Sequence, residues 1–174
     1  MFNASRLTGN KKYYDIAVKH ATTTMKNHFR PDYTCYHVVS YNNNGTVESR
    51  GTHQGQSDSS AWARGQAWAV YGYTACYRET GDSTFLRQAV SVADMIMKRV
   101  TTNDSIPYWD YDAPDSDVTL RDASAASVTA SAMLELSTFA TDGQKYFNSE
   151  VDTPLNYADY YYLEALKRYL DMQK

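Results

Sequence analysis

An arginine flanked by two tryptophans is the feature of this sequence best suited to binding a ligand. Trp62, Arg64 and Trp68 lie in the run WARGQAWAVYGY, which follows a polar segment containing glycines. At about 100° per residue, Arg64 and Trp68 share one face of a helix. A buried guanidinium needs an anion, and either a protein carboxylate or a ligand carboxylate could supply it. Because tryptophan rings pack well on the C–H faces of sugars, the second alternative predicts an acidic sugar.

These residues belong to a predicted helix that ends at Gly81. Large side chains occur all around it, which predicts a helix buried on all sides, with Arg64 buried near its start. Asp58 is expected to cap this helix, since an Asp side chain accepts hydrogen bonds from the free amides of a first turn. Gly81 then provides the left-handed residue that commonly follows a helix.

The rest of the sequence predicts more helices and one hairpin. Residues 1–9 are expected to be the last turns of a helix, and a turn at 42–45 would join two short strands. A polar loop over 101–121 is expected to leave Asp110 and Asp112 solvated. Asp122 or Ser124 would cap a helix of small residues. The predicted helices cover 12–29, 83–100, 122–140 and 155–172, and the predicted strands cover 36–41 and 46–50.

A 72-residue repeat underlies this pattern. Thr8-Gly9 recurs as Thr80-Gly81, and hydrophobic residues follow both pairs at matching intervals. A third copy begins at Gly143 but stops after Phe147, because residues 148–154 are not expected to continue a helix. We therefore expect a missing segment between Phe147 and Asn148. Repeated helix pairs joined by long loops are typical of helical toroids and solenoids.

Composition narrows the possible partners. The chain has 174 residues, a net charge of −3, and 43% hydrophobic and 14% aromatic residues. This charge argues against nucleic-acid binding, and no apolar run is long enough to span a membrane. Cys35, in a predicted strand, and Cys76 are expected to be free thiols in the core, and two cysteines do not make a metal site.

The sequence resembles the unsaturated glucuronyl hydrolases, glycoside hydrolase family 88, over nearly its whole length. The resemblance rests on His53-Gln54-Gly55, on the ungapped WARGQAW block and on Asn156-Tyr157-Ala158-Asp159-Tyr160 near the end. It implies an all-α fold, a partial (α/α)6 barrel (helical toroid) with short β-hairpin loops. With only about six helices, residues 1–174 are expected to form a single domain, the C-terminal half of such a barrel. The N-terminal half would be missing.

The resemblance also implies the reaction, which is hydration of the C4=C5 bond of an unsaturated uronic acid left by a polysaccharide lyase. A carboxyl group protonates C4, and neither a metal nor a cofactor is needed. That Asp is expected upstream of Met1, so the resemblance implies no catalytic residue in this chain. The residues that match the family's substrate-binding positions are His37, Gln54, Trp62, Arg64 and Trp68.

Several alternatives remain open beside this resemblance. A lone histidine such as His37 is more often structural, and His53 could simply brace its loop. The substrate could instead be an unsaturated rhamnogalacturonan product, or the chain could be a non-catalytic module that binds acidic sugars or a protein. A homo-oligomer or the missing N-terminal half would cover the open face of the barrel. Tyr160, Tyr161 and Tyr162 are expected to pack in the core.

Overall fold

The computed structural model of the chain describes residues 1–116, 118–151, 167 and 169–172. Within them the fold is all-α with one short antiparallel hairpin, as the sequence predicts. None of the described helices is both long and apolar enough to cross a membrane. The helices are α1 (Phe2–Thr8), α2 (Lys11–His28), α3 (Ala63–Thr80), α4 (Ser83–Arg99), α5 (Ala123–Ser137) and α6 (Gly143–Val151), and the strands are β1 (Val38–Tyr41) and β2 (Val47–Gly51).

The most deeply buried helix is α5 rather than α3. Every residue of α5 from Ala125 to Leu136 is buried, and many of them are alanine or serine, which let α3 and α6 approach closely. Helix α3 instead buries one side against α4 and α5, while Trp68 on another side remains 41% exposed. The prediction that α3 is buried all round is therefore wrong. The apolar core lies between α3, α4, α5 and α6.

The 72-residue repeat is confirmed at the helix ends. Gly9 and Gly81 both adopt the left-handed conformation, with φ of 69° and 70°. The next residue in each copy, Asn10 or Asp82, accepts a hydrogen bond from the amide two residues later and so caps the following helix. Non-glycine residues with positive φ also occur at matching positions, Tyr33 and Ser105. The repeat therefore sets the backbone of the turns as well as the helices.

Helix α3 begins later than the capping prediction placed it. Its first residue is Ala63, and Trp62 precedes it without a side-chain cap. Residues 61 and 62 are extended because they pair with the loop at 109–111: Ala63 N donates to Trp109 O at 3.1 Å, and Tyr111 N donates to Ala61 O at 3.0 Å. The Asp58 carboxylate accepts from the Thr52 amide instead of capping α3. Asp122, in contrast, caps α5 through the Ala125 amide, as predicted.

Two predictions concern the C-terminal part of the chain. Helix α6 continues through Asn148 to Val151, so the expectation that the helix stops after Phe147 is wrong. Of the helix predicted at 155–172, only residues 167 and 169–172 are described, and they are helical. Tyr160, Tyr161 and Tyr162 lie outside the described residues.

Candidate functional site

A groove of about 380 Å³ runs between α2 and α3. Three of the five predicted binding residues line it: His37, Trp62 and Trp68. Trp68 lies on the exposed side of α3, with its ring edge-on to Tyr71 at 6.1 Å between centroids. Small residues of both helices, among them Ala21, Gly65 and Gly72, also line the groove.

His37 is placed by α3 and by the turn that follows β2. The side-chain amide of the buried Gln66 pairs with both backbone groups of Cys35, at 2.8 Å and 3.2 Å, and so ties this segment to α3. His37 lies two residues later, just before β1 rather than within a strand. Cys35 is buried and free, and burial raises the pKa of its thiol to about 12, so it stays protonated.

The described hydrogen bonds of His37 all involve one ring nitrogen. Its Nδ1 accepts from the backbone amides of His53 and Gln54, both at 3.2 Å, and lies 3.0 Å from Thr52 Oγ1. Because a backbone amide can only donate, Nδ1 acts as an acceptor in both of these hydrogen bonds. Burial lowers the pKa of His37, and the nearby His53 lowers it further. The ring is therefore neutral near pH 7.

His37, Trp62 and Arg64 form one continuous contact beside the groove. The rings of His37 and Trp62 lie 4.4 Å apart between centroids with an interplanar angle of 34°. The guanidinium carbon of Arg64 lies 5.0 Å from the Trp62 ring centroid, within the range of a cation–π interaction. The sequence places these residues up to 27 positions apart, and the fold joins them into a single wall with aromatic and cationic groups.

Arg64 combines features of both predicted roles. Its Nε lies 3.2 Å from Asp122 Oδ2, an ion pair between side chains that are 38% and 6% exposed. The pair is not an aligned hydrogen bond, since both atoms are buried without one. The terminal nitrogens of Arg64 meet no hydrogen-bond partner among the described residues. The prediction of a buried Arg64 is therefore wrong, and its outer nitrogens remain open to an anion.

Gln54 contacts His37 through its backbone amide rather than through its side chain. Its amide donates to His37, but its side chain is exposed and does not line the groove. The turn that carries it is held by the side chains around it: Gly55 N donates to Thr52 Oγ1 at 2.7 Å, and Thr52 N donates to Asp58 Oδ1 at 2.9 Å. Within the described residues, no group of acidic, histidine and cysteine side chains is arranged to hold a metal ion.

Known proteins similar to this chain agree on one family. An unsaturated glucuronyl hydrolase of Formosa agariphila is 38% identical over an alignment covering 97% of this chain and 51% of that protein. A crystal structure of an unsaturated glucuronyl hydrolase specific for heparin is 45% identical, with a TM-score of 0.90 over 99% of this chain and 57% of that one. This chain belongs to the unsaturated glucuronyl hydrolase family. No family model matched the sequence.

The family membership confirms the predicted fold class, a partial α/α toroid with a short hairpin. An unsaturated chondroitin disaccharide hydrolase of Streptococcus pneumoniae is also similar, with 34% identity over 78% of this chain and 34% of that protein. The chain spans about half the length of the Formosa relative and of the heparin-specific structure. The aligned span in the Formosa protein is 206 residues, longer than this chain, so that relative carries residues without a counterpart here.

Two carboxylates contact the segments around Trp62 and Arg64. Asp110 is fully buried, which contradicts the prediction of a solvated side chain; Asp112 is 42% exposed and pairs with Arg99. The second of the two carboxylates is Asp122. It was predicted only as a cap of α5, and it also pairs with Arg64. Their contacts with Gln56, Ser60 and Arg64 span 50 or more positions of sequence, so no local motif could have revealed these roles. The backbone pairing of residues 61–63 with residues 109–111 places the loop beside α3, and this pairing is visible only in the folded structure.

Proposed function

We propose that this chain forms the substrate-binding wall of an enzyme that hydrates the C4=C5 bond of unsaturated glucuronyl disaccharides. The contact of His37, Trp62 and Arg64 beside the groove carries this proposal. Trp62 offers an aromatic face to the sugar ring, and the outer nitrogens of Arg64 suit its carboxylate. Trp68 lines the same groove, and Gln54 joins the wall through its backbone amide, which donates to His37. The names of the relatives, unsaturated glucuronyl and chondroitin disaccharide hydrolases, support this substrate class over a rhamnogalacturonan product.

The chemistry assigns this wall a positioning role. Protonation of C4 develops positive charge at C5 and the ring oxygen, and a positioned carboxyl group accelerates such a step by about 10² to 10⁴. Holding the uronate carboxylate at Arg64 fixes the ring against Trp62 while that proton is transferred. The proton donor is proposed to lie in the half of the relatives' fold that this chain does not span.

The same proposal covers the organisation of the chain. Residues 1–174 would be the C-terminal half of the toroid, with a segment absent between Phe147 and Asn148; the longer aligned span of the Formosa relative supports such a gap. The remaining helices of the toroid would pack on exposed apolar side chains outside the groove, such as Ile16 of α2, which is 41% exposed. Light scattering tests this: self-association or aggregation of the chain alone is expected, and a compact, dilution-stable monomer would contradict it.

Binding of the acid and of its neutral ester tests the role of Arg64. We expect an unsaturated glucuronyl disaccharide to quench tryptophan fluorescence, and its methyl ester to bind more weakly. Arg64→Ala should weaken binding of the acid by about tenfold or more, the loss of a charge-assisted hydrogen bond. Arg87→Ala, on the exposed side of α4, is the matched control and should bind normally.

Two results would contradict the proposal. If acid and ester bind equally well, or if Arg64→Ala binds as the wild type does, Arg64 serves only its ion pair with Asp122. Turnover is read separately, as loss of the far-ultraviolet absorbance of the C4=C5 bond. Binding of the disaccharide without turnover, after the rest of the toroid has been supplied, would favour the non-catalytic acidic-sugar module instead.

A further inference from the structure

We propose that the turn at 52–55 fixes His37 as the neutral Nε2–H tautomer and so gives the groove one committed hydrogen-bond donor. That donor selects a ligand oxygen that can accept a hydrogen bond. The ligand part of this inference rests on the proposed function. The tautomer rests on the protein alone, and it goes beyond the assignment of His37 as a binding residue, because a histidine can otherwise donate or accept through either nitrogen.

The first step is the convergence of donors on one ring nitrogen. The amides of His53 and Gln54 both point at Nδ1, each at 3.2 Å. A proton on Nδ1 would face two N–H groups and abolish both hydrogen bonds. Thr52 Oγ1 is also 3.0 Å away, and the same oxygen accepts from Gly55 N, so its own proton is free to point at Nδ1. Two backbone amides, and a hydroxyl whose proton can turn toward Nδ1, thus converge on a single lone pair.

The second step concerns the other ring nitrogen. All described hydrogen bonds of His37 involve Nδ1, and Nε2 has no protein partner among the described residues. The ring lines the groove and packs on Trp62, which fixes its plane. The ring is partly buried, so a ligand that displaces water from Nε2–H must supply an acceptor in return. Sugar hydroxyl and carboxylate oxygens qualify, whereas an ammonium group does not.

A matched pair of substitutions separates the two nitrogens. Asn at position 37 places its amide near the site of Nδ1 and can accept from the turn, whereas Gln reaches the site of Nε2 and can donate into the groove. We expect His37→Asn to retain slow hydrogen exchange at the amides of residues 53 and 54 but to bind the unsaturated disaccharide about 3- to 10-fold more weakly. His37→Gln should do the reverse, exchanging those amides about 3- to 10-fold faster while retaining more of the binding.

The experiment begins with the wild-type protein without ligand, completed by the rest of the toroid if the chain alone aggregates. Nitrogen-15 NMR of the His37 ring at neutral pH should show an acceptor-type Nδ1 and a protonated Nε2; a protonated Nδ1 would overturn the inference whatever the ligand does. Thermal melting of both variants verifies that they are folded. Disaccharide binding by His37→Asn at wild-type affinity would overturn the donor role. If the wild type binds no unsaturated uronide, the proposed function fails, and the NMR result still decides the tautomer.

Discussion

Asp110→Asn tests whether one buried carboxylate holds the turn that contacts His37. Asp110 is fully buried and accepts three hydrogen bonds. Its Oδ2 accepts from Gln56 N at 2.9 Å and from Ser60 Oγ at 2.7 Å, and its Oδ1 accepts from Asp112 N at 2.9 Å. Two of these donors belong to the 52–60 segment, which has few backbone hydrogen bonds of its own. The carboxylate therefore replaces the partners that a helix or sheet would provide.

The magnitude follows from counting donors and acceptors. An Asn amide has one oxygen, so its NH₂ group must face either Gln56 N–H or Asp112 N–H. The Ser60 hydroxyl can adapt, because it already lies 2.9 Å from Ser57 O and can donate there while accepting from the new NH₂. One backbone amide is left without an acceptor in either orientation. Such a loss costs about 1–3 kcal/mol, so we expect Asp110→Asn to lower the free energy of unfolding by that amount.

Urea unfolding of the wild type, Asp110→Asn and Asp142→Asn measures this cost. Asp142 is an exposed carboxylate at the start of α6, and its substitution removes the same charge without touching the turn. We expect Asp142→Asn to stay within about 0.5 kcal/mol of the wild type. Equal midpoints for Asp110→Asn and the wild type would refute the assignment of Asp110 as the anchor. An equal loss in both variants would show that net charge, rather than the buried hydrogen bonds, is responsible.

Three further predictions use the same unfolding measurement. Gly55→Ala should destabilise the fold, since a Cβ at this position would lie 2.6 Å from a hydroxyl oxygen in its turn. The Cβ of Gly72→Ala would meet nothing within 4 Å, so this substitution should stabilise α3 by about 0.5–1 kcal/mol. Effects of the same sign in the two variants would contradict this prediction. Burial, together with His53, lowers the pKa of His37 in the folded state. The contribution of His37 to stability is therefore complete above the ordinary histidine pKa of about 6.5 and is lost as pH falls through the lower folded pKa. If His37→Asn leaves the pH profile of stability unchanged, this prediction is wrong. Tyr73→Phe removes a buried 3.0 Å hydrogen bond to a carbonyl of α2 and should cost about 1 kcal/mol, and no loss would show that the carbonyl finds another donor.

Helix ends could be predicted from the sequence because their signals are local. Gly81 is followed directly by its capping Asp82, and the same Gly-cap pair recurs at Gly9 and Asn10. Glycine tolerates positive φ, and Asp or Asn accepts from first-turn amides, so one glycine and the residue after it fix each boundary between two helices. Because the repeat has a spacing of 72 residues, the helix boundary at Gly81 predicts the one at Gly9. The cap of α5 by Asp122 was predictable for the same reason.

The burial of α3 and the role of Asp58 could not be predicted in this way. Large side chains around α3 suggested burial on all sides, but burial depends on which helices surround it. Among the described helices, α4 and α5 pack closely on α3, whereas α2 touches it at few points. Asp58 has the residue type of a cap, yet the extended pairing of Trp62 with Asp110 delays the helix until Ala63. In both cases a tertiary contact overrides a correct local preference.

The candidate site shows the same division between residue type and position. The residue types of the wall were apparent in the sequence, since Arg64 and Trp62 are two positions apart. What fixes them in place is the polar loop before α5, from which Asp110 reaches the turn near Gln54 and Asp122 reaches Arg64. A turn outside helices and strands has free amides, and buried carboxylates are suitable acceptors for them. The loop that seemed solvated is therefore the support of the wall, and the two segments are best regarded as one structural unit.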